Sequence, residues 1–477
     1  MPIEQEDEDE SSWEKALRNE LILENIFKYL PTGFLLSSCG FVNKCWNNES
    51  RIVIRKNNNN RKCTVKITGS CQFLKNLDEC CREITDHGRL VPFNALILSF
   101  DGRQRASDSR CDKELTIPNL TRQMKLFHLD FDCRFSCNYL SVHKPLYKLL
   151  QHKCNQLQSL KIQWASLLGA ALGTDDWNPD FPRLQFISIL NATAGQQDSA
   201  PEQSLEIIRK IMEGAPNLSR IIVGDLETLR MVPEDKYKYL QEIKFKFTQP
   251  RDDATLYENI IEAKSRLKTL NIDGQNNNFH DRQEMRFGTT LEKLLQAFHQ
   301  SLKTISVAGA YAELGWLSYP PLINLSKLRM DSRNEVGVGG MAEFYSTFSA
   351  IDYANTMPGL EEVEFEAPVL PDELRDAWNL EAVDQSSCTT ARKLTLNIAS
   401  AGADLSFFKP IFPNVSSLKI IFYPMDNVMP FSKIWELWPS LEELEISGEG
   451  LMLMKIYDSE FCGISPEEVH LLRWETA

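Results

Sequence analysis

A short phrase of spaced apolar residues recurs along most of this chain and constrains its fold more than any other feature. The segments PNLSRIIV (216–223), PGLEEVEF (358–365) and PSLEELEI (439–446) each place a leucine before apolar residues three and five positions later. The other copies are Leu157/Leu160/Ile162, Leu184/Ile187/Ile189, Leu240/Ile243/Phe245, Leu267/Leu270/Ile272, Leu302/Ile305/Val307, Leu325/Leu328/Met330, Ala391/Leu394/Leu396 and Val415/Leu418/Ile420. The copies begin 22 to 35 residues apart, and their mean period of about 28 residues is typical of stacked structural repeats.

The segments between the phrases have the periodicity of amphipathic helices. SLEIIRKIMEGA (204–215) and LEKLLQAF (291–298) both place their apolar residues on one helical face. Each repeat is therefore predicted to be a strand followed by a helix, which gives parallel strands with their connections on one side of the sheet. No repeat can bury its apolar face alone, but stacked neighbours share one continuous core. An ordinary α/β protein with leucine-rich strands is the alternative, and eleven copies in one register favour the solenoid.

This pattern resembles the leucine-rich-repeat family, in its longer, helix-containing type, over residues 93–477. The resemblance implies a curved solenoid with parallel strands on the concave face and helices on the convex face. Weaker copies are predicted to begin at Phe93/Leu96/Leu98 and at Met124/Phe127/Leu129, after a linker and a degenerate first repeat in residues 51–92. The chain departs from the family because the asparagine or cysteine that usually follows the strand is not consistent, and because the spacing is uneven.

The N-terminal region has a different pattern. Six acidic residues in the first ten predict a disordered tail over residues 1–12. In the stretch ELILENIFKYLP, apolar residues recur at helical spacing until Pro31, which cannot continue the hydrogen-bond ladder. Apolar clusters at 34–36 and 42–46 predict two more short helices. Three short helices hide too little surface to be stable alone, so their apolar faces indicate a partner.

Residues 13–50 resemble the F-box family. The residues that carry the resemblance are Leu17, Glu20, Leu21, Ile22, Ile26, Phe27, Tyr29, Leu30, Leu35, Leu36, Val42 and Trp46. Arg18 stands where the family usually has proline, and Phe34 stands where aspartate is common, but neither change removes the apolar seam. The family docks onto the Skp-type adaptor of a cullin–RING ubiquitin ligase. The resemblance therefore implies an α/β protein with a three-helix F-box followed by the repeat solenoid.

The resemblance also implies the partners and their contacts. The F-box would bind the adaptor, and through it the cullin scaffold, while the repeats would bind an unknown protein substrate and present it for ubiquitination. The implied adaptor-binding residues are Leu21, Ile22, Ile26, Leu30, Pro31, Leu35, Leu36, Val42 and Trp46. The alternative is a leucine-rich-repeat scaffold that binds a partner without any ligase, because a fold alone does not define a function.

A substrate surface follows from strand geometry, because alternate side chains of a strand face opposite ways. If the phrase residues face the core, the intervening residues line the concave face. The candidate substrate-binding residues are Lys244, Lys246, Lys327, Arg329, Glu362, Glu364 and Glu366. The acidic row indicates a charged partner, unless the face is simply solvated. Long inserts at 173–181, 273–285, 331–340 and 367–387 form an alternative contact surface on one rim.

No motif in the sequence indicates catalysis, since it contains no P-loop, HExxH, nucleophile elbow or glycine-rich dinucleotide turn. The chain is therefore predicted to be a non-catalytic receptor subunit without a cofactor. Cys133 and Cys137, with His128 and His143 nearby, suggest zinc, but their spacing is irregular and we predict no metal.

Composition also excludes several classes of partner. The net charge of −14, without clustered lysine and arginine, predicts no nucleic-acid partner. The acidic N-terminus is unlike a signal peptide, and no run reaches the roughly 18 apolar residues that cross a bilayer. These features predict no membrane partner and a cytoplasmic or nuclear protein.

Overall fold

The structure of the chain is a computed structural model. It describes residues 17, 19–30, 34–56, 63–68, 71–100, 117–133, 149–153, 155–164, 178–191, 202–224, 226–247, 258, 260–261, 266–274, 292–308, 320–331, 351–366, 387–398, 405–422, 432–448 and 451–457. The chain forms two compact units, residues 1–218 and 219–477.

The first unit begins with short helices. They are α1 (Glu20–Phe27), a π-helical turn (Leu35–Cys39), α2 (Gly40–Val42) and α3 (Lys44–Lys56). The Asn19 Oδ1 atom caps α1 by accepting hydrogen bonds from the backbone N–H groups of Leu21 (3.0 Å) and Ile22 (3.4 Å). Asn43 separates α2 from α3, and its Oδ1 accepts a hydrogen bond from the N–H of Trp46 (2.9 Å). Asparagine suits both positions because its side chain satisfies N–H groups that have no partner within the helix.

Five parallel strands follow in the described part of the first unit, in the order of the sequence. They are β1 (Thr64–Thr68), β2 (Ala95–Phe100), β3 (His128–Cys133), β4 (Ser159–Trp164) and β5 (Phe186–Asn191). Helical segments lie between or after them: α4 (Cys71–Asp86), α5 (Pro118–Gln123), residues 149–153 and α6 (Glu202–Glu213). The sheet thus starts at Thr64, within the region 51–92 that the sequence assigned to a linker and a degenerate first repeat.

The described residues of the second unit contain nine parallel strands and one antiparallel strand. The parallel strands are β6 (Arg220–Val223), β7 (Glu242–Phe247), β8 (Thr269–Gly274), β9 (Thr304–Ala308), β10 (Lys327–Asp331), β11 (Glu362–Glu366), β12 (Lys393–Ile398), β13 (Ser417–Phe422) and β14 (Glu443–Gly448). The last strand, β15 (Leu451–Tyr457), pairs antiparallel with β14 and so departs from the predicted repeat.

Short helical segments connect the strands of the second unit. They are α7 (Leu226–Arg230), α8 (Glu234–Tyr237), residues 292–298, α9 (Tyr353–Thr356), a 3-10 turn (Leu405–Phe407), α10 (Phe408–Ile411) and α11 (Ser432–Leu437). The strand order is linear in each unit, so neither sheet closes into a barrel. The predicted α/β class with consecutive parallel strands is confirmed, whereas the curvature and the concave face stay predictions.

The phrase residues form the core in all eleven copies. In the copy at β8, for example, Leu267, Leu270 and Ile272 are at most 2 % exposed. The first position lies in the turn before the strand, and the other two lie on the strand face turned toward the helices. Phe365 of β11 shows this packing, since its ring contacts the rings of Phe408 in α10 and of Phe412. Burying each such side chain contributes about 1.5–3 kcal/mol, which only stacked repeats can provide.

One of the two weaker copies was predicted in the wrong register. The structure pairs β3 with β4 so that Leu129 lies opposite Leu160 and Phe131 opposite Ile162. The phrase at β3 is therefore Leu126/Leu129/Phe131, two residues later than the predicted Met124/Phe127/Leu129. A shift of two residues leaves every strand side chain on the same face of the sheet. Because the residues of both the predicted and the observed phrase are buried, the apolar pattern could not distinguish the two registers. The copy at Phe93/Leu96/Leu98 aligns with Leu126/Leu129/Phe131 as predicted.

Backbone hydrogen bonds join each repeat to the next at the start of the strands. The carbonyl oxygen of Gln241 accepts hydrogen bonds from the N–H groups of both Lys268 (2.8 Å) and Thr269 (3.0 Å) in the following repeat. The same sharing recurs at Lys268, Lys303, Ser326, Glu361, Arg392 and Ser416. Consecutive repeats are thereby held in one register along the second unit.

Asparagine side chains add a second tie between turns. Asn324 Nδ2 donates to the carbonyl oxygen of Gln300 (2.7 Å), and Asn414 Nδ2 donates to that of Thr389 (2.9 Å). In the first unit Asn217 Nδ2 donates to Pro182 in the same way (2.7 Å). In the leucine-rich-repeat family, the asparagine that ties adjacent turns usually follows the strand, and few repeats of this sequence have it there. These three asparagines lie before the strand instead, one residue ahead of the first phrase residue.

No helix among the described residues is both long enough and apolar enough to span a membrane.

We predict that Asn324→Ala lowers the free energy of unfolding by about 0.5–1.5 kcal/mol, because one side-chain hydrogen bond between turns is lost. Urea denaturation followed by circular dichroism measures the change. Ser440→Ala is the matched control, since Ser440 occupies the same position before Leu441, is exposed and has no hydrogen-bond partner among the described residues. An equal loss for both variants would contradict the proposed tie.

We also predict that Gly214→Ala lowers the free energy of unfolding by about 1–3 kcal/mol, because the new Cβ would overlap the carbonyl oxygen of Pro179. The neighbouring backbone cannot simply retreat, since the N–H of Phe181 donates to the carbonyl oxygen of Gly214 (2.7 Å). Gly359→Ala is the control, because its Cβ would lie 3.2 Å from the nearest atom, Ile323 O, and needs only a small adjustment. Denaturation curves that rank Gly359→Ala as the more harmful change would contradict the close approach of Pro179 to Gly214.

Candidate functional site

Helix α1 is apolar on two faces, and in the described part of the chain only one of them is buried. Leu23 and Phe27 lie one helical turn apart and are fully buried. On the remaining surface, Leu21 is 72 % exposed, Ile26 is 43 % exposed and Ile22 is similarly exposed. An eight-residue helix that exposes three large aliphatic side chains is unusual for a monomer, and it marks a candidate interaction surface.

The covered face of α1 packs into a small core of the N-terminal region. Its buried members are Leu23, Phe27, Leu35, Cys39, Val53, Ile54 and Cys63, with Leu30, Cys45, Trp46 and Phe93 packed against them. Trp46 meets Phe27 edge to face, with ring centroids 5.3 Å apart, and its Nε1 donates to the carbonyl oxygen of Leu17 (2.7 Å). Cys63 directly precedes β1, so this core joins the helices to the first strands.

Arg51 of α3 strengthens that junction. Its Nη1 donates to the carbonyl oxygen of Leu90 (2.8 Å), and its Nε donates to Asn47 Oδ1 (2.6 Å). Burial, together with the nearby charge of Arg89, lowers the pKa of Arg51. The exposed residues of α1 are therefore held on a support that is packed against the sheet of the first unit.

The predicted adaptor-binding residues divide into three groups. Leu21, Ile22, Ile26 and Val42 are exposed. Leu30 and Trp46 are half-buried against the N-terminal core, and Leu35 is fully buried in it. Pro31 and the side chain of Leu36 lie outside the described residues.

Exposed aromatic residues extend the set that the sequence proposed. Tyr29 is 87 % exposed, Phe41 is 83 % exposed and Phe34 is also exposed. Tyr29 belongs to the family pattern in the sequence but is not among the adaptor contacts that the resemblance implies. Together with Leu21, Ile22, Ile26 and Val42, these three residues are called the N-terminal apolar residues below.

The second candidate surface is the open face of the sheet in the second unit, the side opposite the buried phrase residues. Four of the charged residues predicted there lie on the adjacent strands β10 and β11 and compensate each other: Lys327, Arg329, Glu362 and Glu364. Lys327 Nζ lies 2.7 Å from Glu362 Oε1 and 3.6 Å from Glu364 Oε2, and Arg329 Nε lies 3.5 Å from Glu364 Oε1. Glu362 and Glu364 thus have basic partners within the chain, so these two acids do not by themselves indicate a charged external partner. Because these groups are partly exposed, each pair contributes at most about 1 kcal/mol.

The same compensation occurs at β13 and β14. Lys419 Nζ lies 2.6 Å from Glu445 Oε1, and Ser417 Oγ donates to Glu443 Oε2 (3.0 Å). Lys244 is half-buried and has no ion-pair partner among the described residues. The side chains of Lys246 and Glu366, and most residues of the four long inserts, lie outside the described part of the chain.

Uncharged polar residues on β8 and β9 lie between the charged residues of β7 and those of β10. The charge pattern of the sequence did not identify them as candidate contacts. Thr269 and Asn271 of β8 lie opposite Thr304 and Ser306 of β9. These residues alternate with buried phrase residues, so their side chains face the open side of the sheet. The strand alternation placed them on this face, but only the strand register shows that they are neighbours.

Cys39 and Cys63 of the N-terminal core are buried free thiols. Burial raises the pKa of Cys39 and of Cys63, although the Arg51 charge partly opposes the shift at Cys63. The described residues contain no group of His, Cys, Asp and Glu side chains that could hold a metal ion. The side chain of Cys133, and residues Cys137 and His143, lie outside the described part, and the absence of a metal stays a prediction.

Comparison of the sequence with models of protein families and with curated proteins gives no match. The functional interpretation therefore depends on the two surfaces described above.

We predict that a maleimide modifies Cys80 of the folded protein much faster than Cys81. Cys80 is exposed, whereas burial and the Asp78 charge raise the pKa of the Cys81 thiol to about 12, which removes the reactive thiolate. Mass spectrometry at mildly alkaline pH measures both sites on one peptide. The label is expected to disappear in Cys80→Ser and to persist in Cys81→Ser, and rapid labelling of Cys81 without denaturant would contradict its burial.

Proposed function

We propose that this chain is the substrate-recognition subunit of a cullin–RING ubiquitin ligase, in which the N-terminal helices bind a Skp-type adaptor and the repeats bind a protein substrate. One observation carries the proposal: α1 exposes Leu21, Ile22 and Ile26 although its opposite face is anchored in a core. The exposed residues belong to the stretch whose sequence resembles the F-box family. The resemblance supplies the identity of the partner, and the exposure supplies the reason to expect one.

The energetics of the N-terminal apolar residues are sufficient for a stable complex. Burying one large aliphatic or aromatic side chain contributes about 1.5–3 kcal/mol. Several such contributions are needed, because association and the ordering of side chains cost about 4–15 kcal/mol. The support beneath α1 reduces the ordering cost, since Trp46 packs against Phe27 of α1 and Arg51 ties α3 to Leu90.

The proposed subunit acts by position and performs no chemistry of its own. A substrate held by the repeats would have its lysines at a high effective concentration near the ubiquitin-loaded enzyme. Parallel strands suit this role because each repeat adds another row of side chains to one continuous face. The cullin scaffold would be reached only through the adaptor.

A protein-interaction scaffold without ligase assembly is the second candidate. The burial of Leu35 favours it, because a residue expected to contact the adaptor is used inside the chain. The half-buried position of Trp46 points in the same direction. Adaptor binding separates the two candidates.

We predict that the chain co-purifies with a co-expressed Skp-type adaptor as a one-to-one complex, and that Leu21→Asp combined with Ile26→Asp weakens the complex at least about tenfold. Both side chains are exposed, so the charged variants keep the internal packing while placing a carboxylate in the proposed interface. Isothermal titration calorimetry and light scattering measure affinity and stoichiometry.

The matched control is Ile323→Asp, which makes the same change at an isoleucine of the second unit that is also about half exposed. It should leave adaptor binding unchanged. A monodisperse chain that does not bind the adaptor would favour the scaffold. An equal loss of adaptor affinity in the double variant and in Ile323→Asp would contradict the assignment of α1 as the interface.

A further inference from the structure

We propose that the open face of β8 and β9 is a docking site for an extended, uncharged polar peptide segment of a protein partner. The inference rests on the proposed function and deepens it, because it names the chemistry of the segment that the repeats take. It also relocates the contact surface, from the charged strands that the sequence indicated to the uncharged strands beside them.

Four side chains define the site and are called the polar array: Thr269, Asn271, Thr304 and Ser306. Strand register places Thr269 beside Thr304 and Asn271 beside Ser306. Within the described part of the chain, none of the four side chains has a hydrogen-bond partner. Ser306 is only 6 % exposed and forms the floor, whereas the other three are half-buried and form the accessible surface. The array therefore offers hydroxyl and amide groups that the fold itself does not use.

The ion pairs on the neighbouring strands keep this array uncovered. Lys327 and Arg329 lie beside Thr304 and Ser306 in register, and both are long enough to reach across them. Their charged groups are instead engaged on the opposite side, by Glu362 and Glu364 of β11. The acidic residues of β11 are thus positioning residues in this proposal. They hold two long basic side chains away from the array.

The border on the other side carries both signs of charge. Register places Glu242 beside Thr269 and Lys244 beside Asn271. Neither Glu242 nor Lys244 has an ion-pair partner within the described residues. A charged ligand group would therefore meet one attractive and one repulsive neighbour on β7.

A cationic ligand group would lie near Lys244, Lys327 and Arg329. An anionic one would lie near Glu242, and Lys327 and Arg329 are already paired with the acids of β11. Neither sign finds a matched set of opposite charges, while either would lose part of its hydration on binding. An uncharged polar ligand avoids that cost.

A peptide matches the chemistry and spacing of the array. Hydroxyl and amide side chains both donate and accept hydrogen bonds, and each peptide group presents one donor and one acceptor. Residues two apart on a strand are about 6.6 Å apart, which is also the spacing of same-side residues in an extended peptide. A segment rich in serine, threonine, asparagine and glutamine, lying along β8 and β9, would therefore meet both rows of the array.

The test uses the full chain without the adaptor and three sets of fluorescent synthetic peptides of equal length. One set is built from Ser, Thr, Asn and Gln, the second contains Asp and Glu, and the third contains Lys and Arg. Fluorescence polarisation should show the tightest binding for the uncharged set. Thr269→Val combined with Thr304→Val keeps the side-chain shape but removes two hydroxyl groups, and it should weaken that binding about tenfold.

Thr395→Val is the matched control, because Thr395 lies on the same face between Glu364 and Lys419 and is also half-buried without a hydrogen-bond partner among the described residues. It should leave peptide binding unchanged, and circular dichroism checks that all variants are folded. Tighter binding of either charged set, no binding of any set, or an equal loss in Thr395→Val would overturn the proposal. Because the peptide assay contains no adaptor, its result does not depend on whether the chain binds the adaptor.

Discussion

The structure depends on one constraint: a repeat of this length cannot bury its own apolar side chains. Each copy of the phrase contributes three such residues, and they become buried only when the strands before and after it are in place. Backbone hydrogen bonds fix that stacking, because one carbonyl oxygen at each strand start accepts two N–H groups from the following repeat. The shared core and the shared hydrogen bonds thus select the same arrangement of parallel strands.

Stacking also determines which charges meet. Along the sequence, Lys327 and Glu362 are separated by a whole repeat, but parallel register makes them neighbours with atoms 2.7 Å apart. Glu362 and Glu364 of β11 look like a binding site when that strand is considered alone, but each forms an ion pair with a basic residue of β10. Among the described residues, the uncharged side chains on β8 and β9 have no hydrogen-bond partners, and this is why the proposed peptide site lies there.

The N-terminal helices also depend on neighbouring elements to bury their apolar residues, but part of their apolar surface stays exposed. Helix α1 buries Leu23 and Phe27 against α3 and the start of the sheet, yet it leaves Leu21 and Ile26 in solvent. A helix this short cannot enclose both faces, so one of them stays available to another protein. The two surfaces are the two candidate places for partners, and the proposed ligase subunit requires both.

The strands of the eleven phrase copies, their core and the α/β class could be predicted from the amino-acid sequence alone, whereas the antiparallel strand β15 could not. Apolar residues three and five positions after the first, repeated eleven times, leave little choice about which side chains are buried, as the burial of every phrase residue shows. The resemblance to the F-box family implied contacts at Leu21, Ile22, Ile26 and Leu35; the first three are exposed, whereas Leu35 is buried.

The register at β3, the asparagine ties and the partners of the charged rows emerged only in the folded chain. Apolar patterns repeat every two residues in a strand, so they cannot distinguish Met124 from Leu126 as the first phrase residue. Asn324 gains its role from a carbonyl oxygen 24 residues earlier, and Glu364 gains its role from Lys327 and Arg329 on the preceding strand. Burial depends on the polarity of each residue, which the sequence states directly, whereas pairing depends on distances between repeats that exist only after folding.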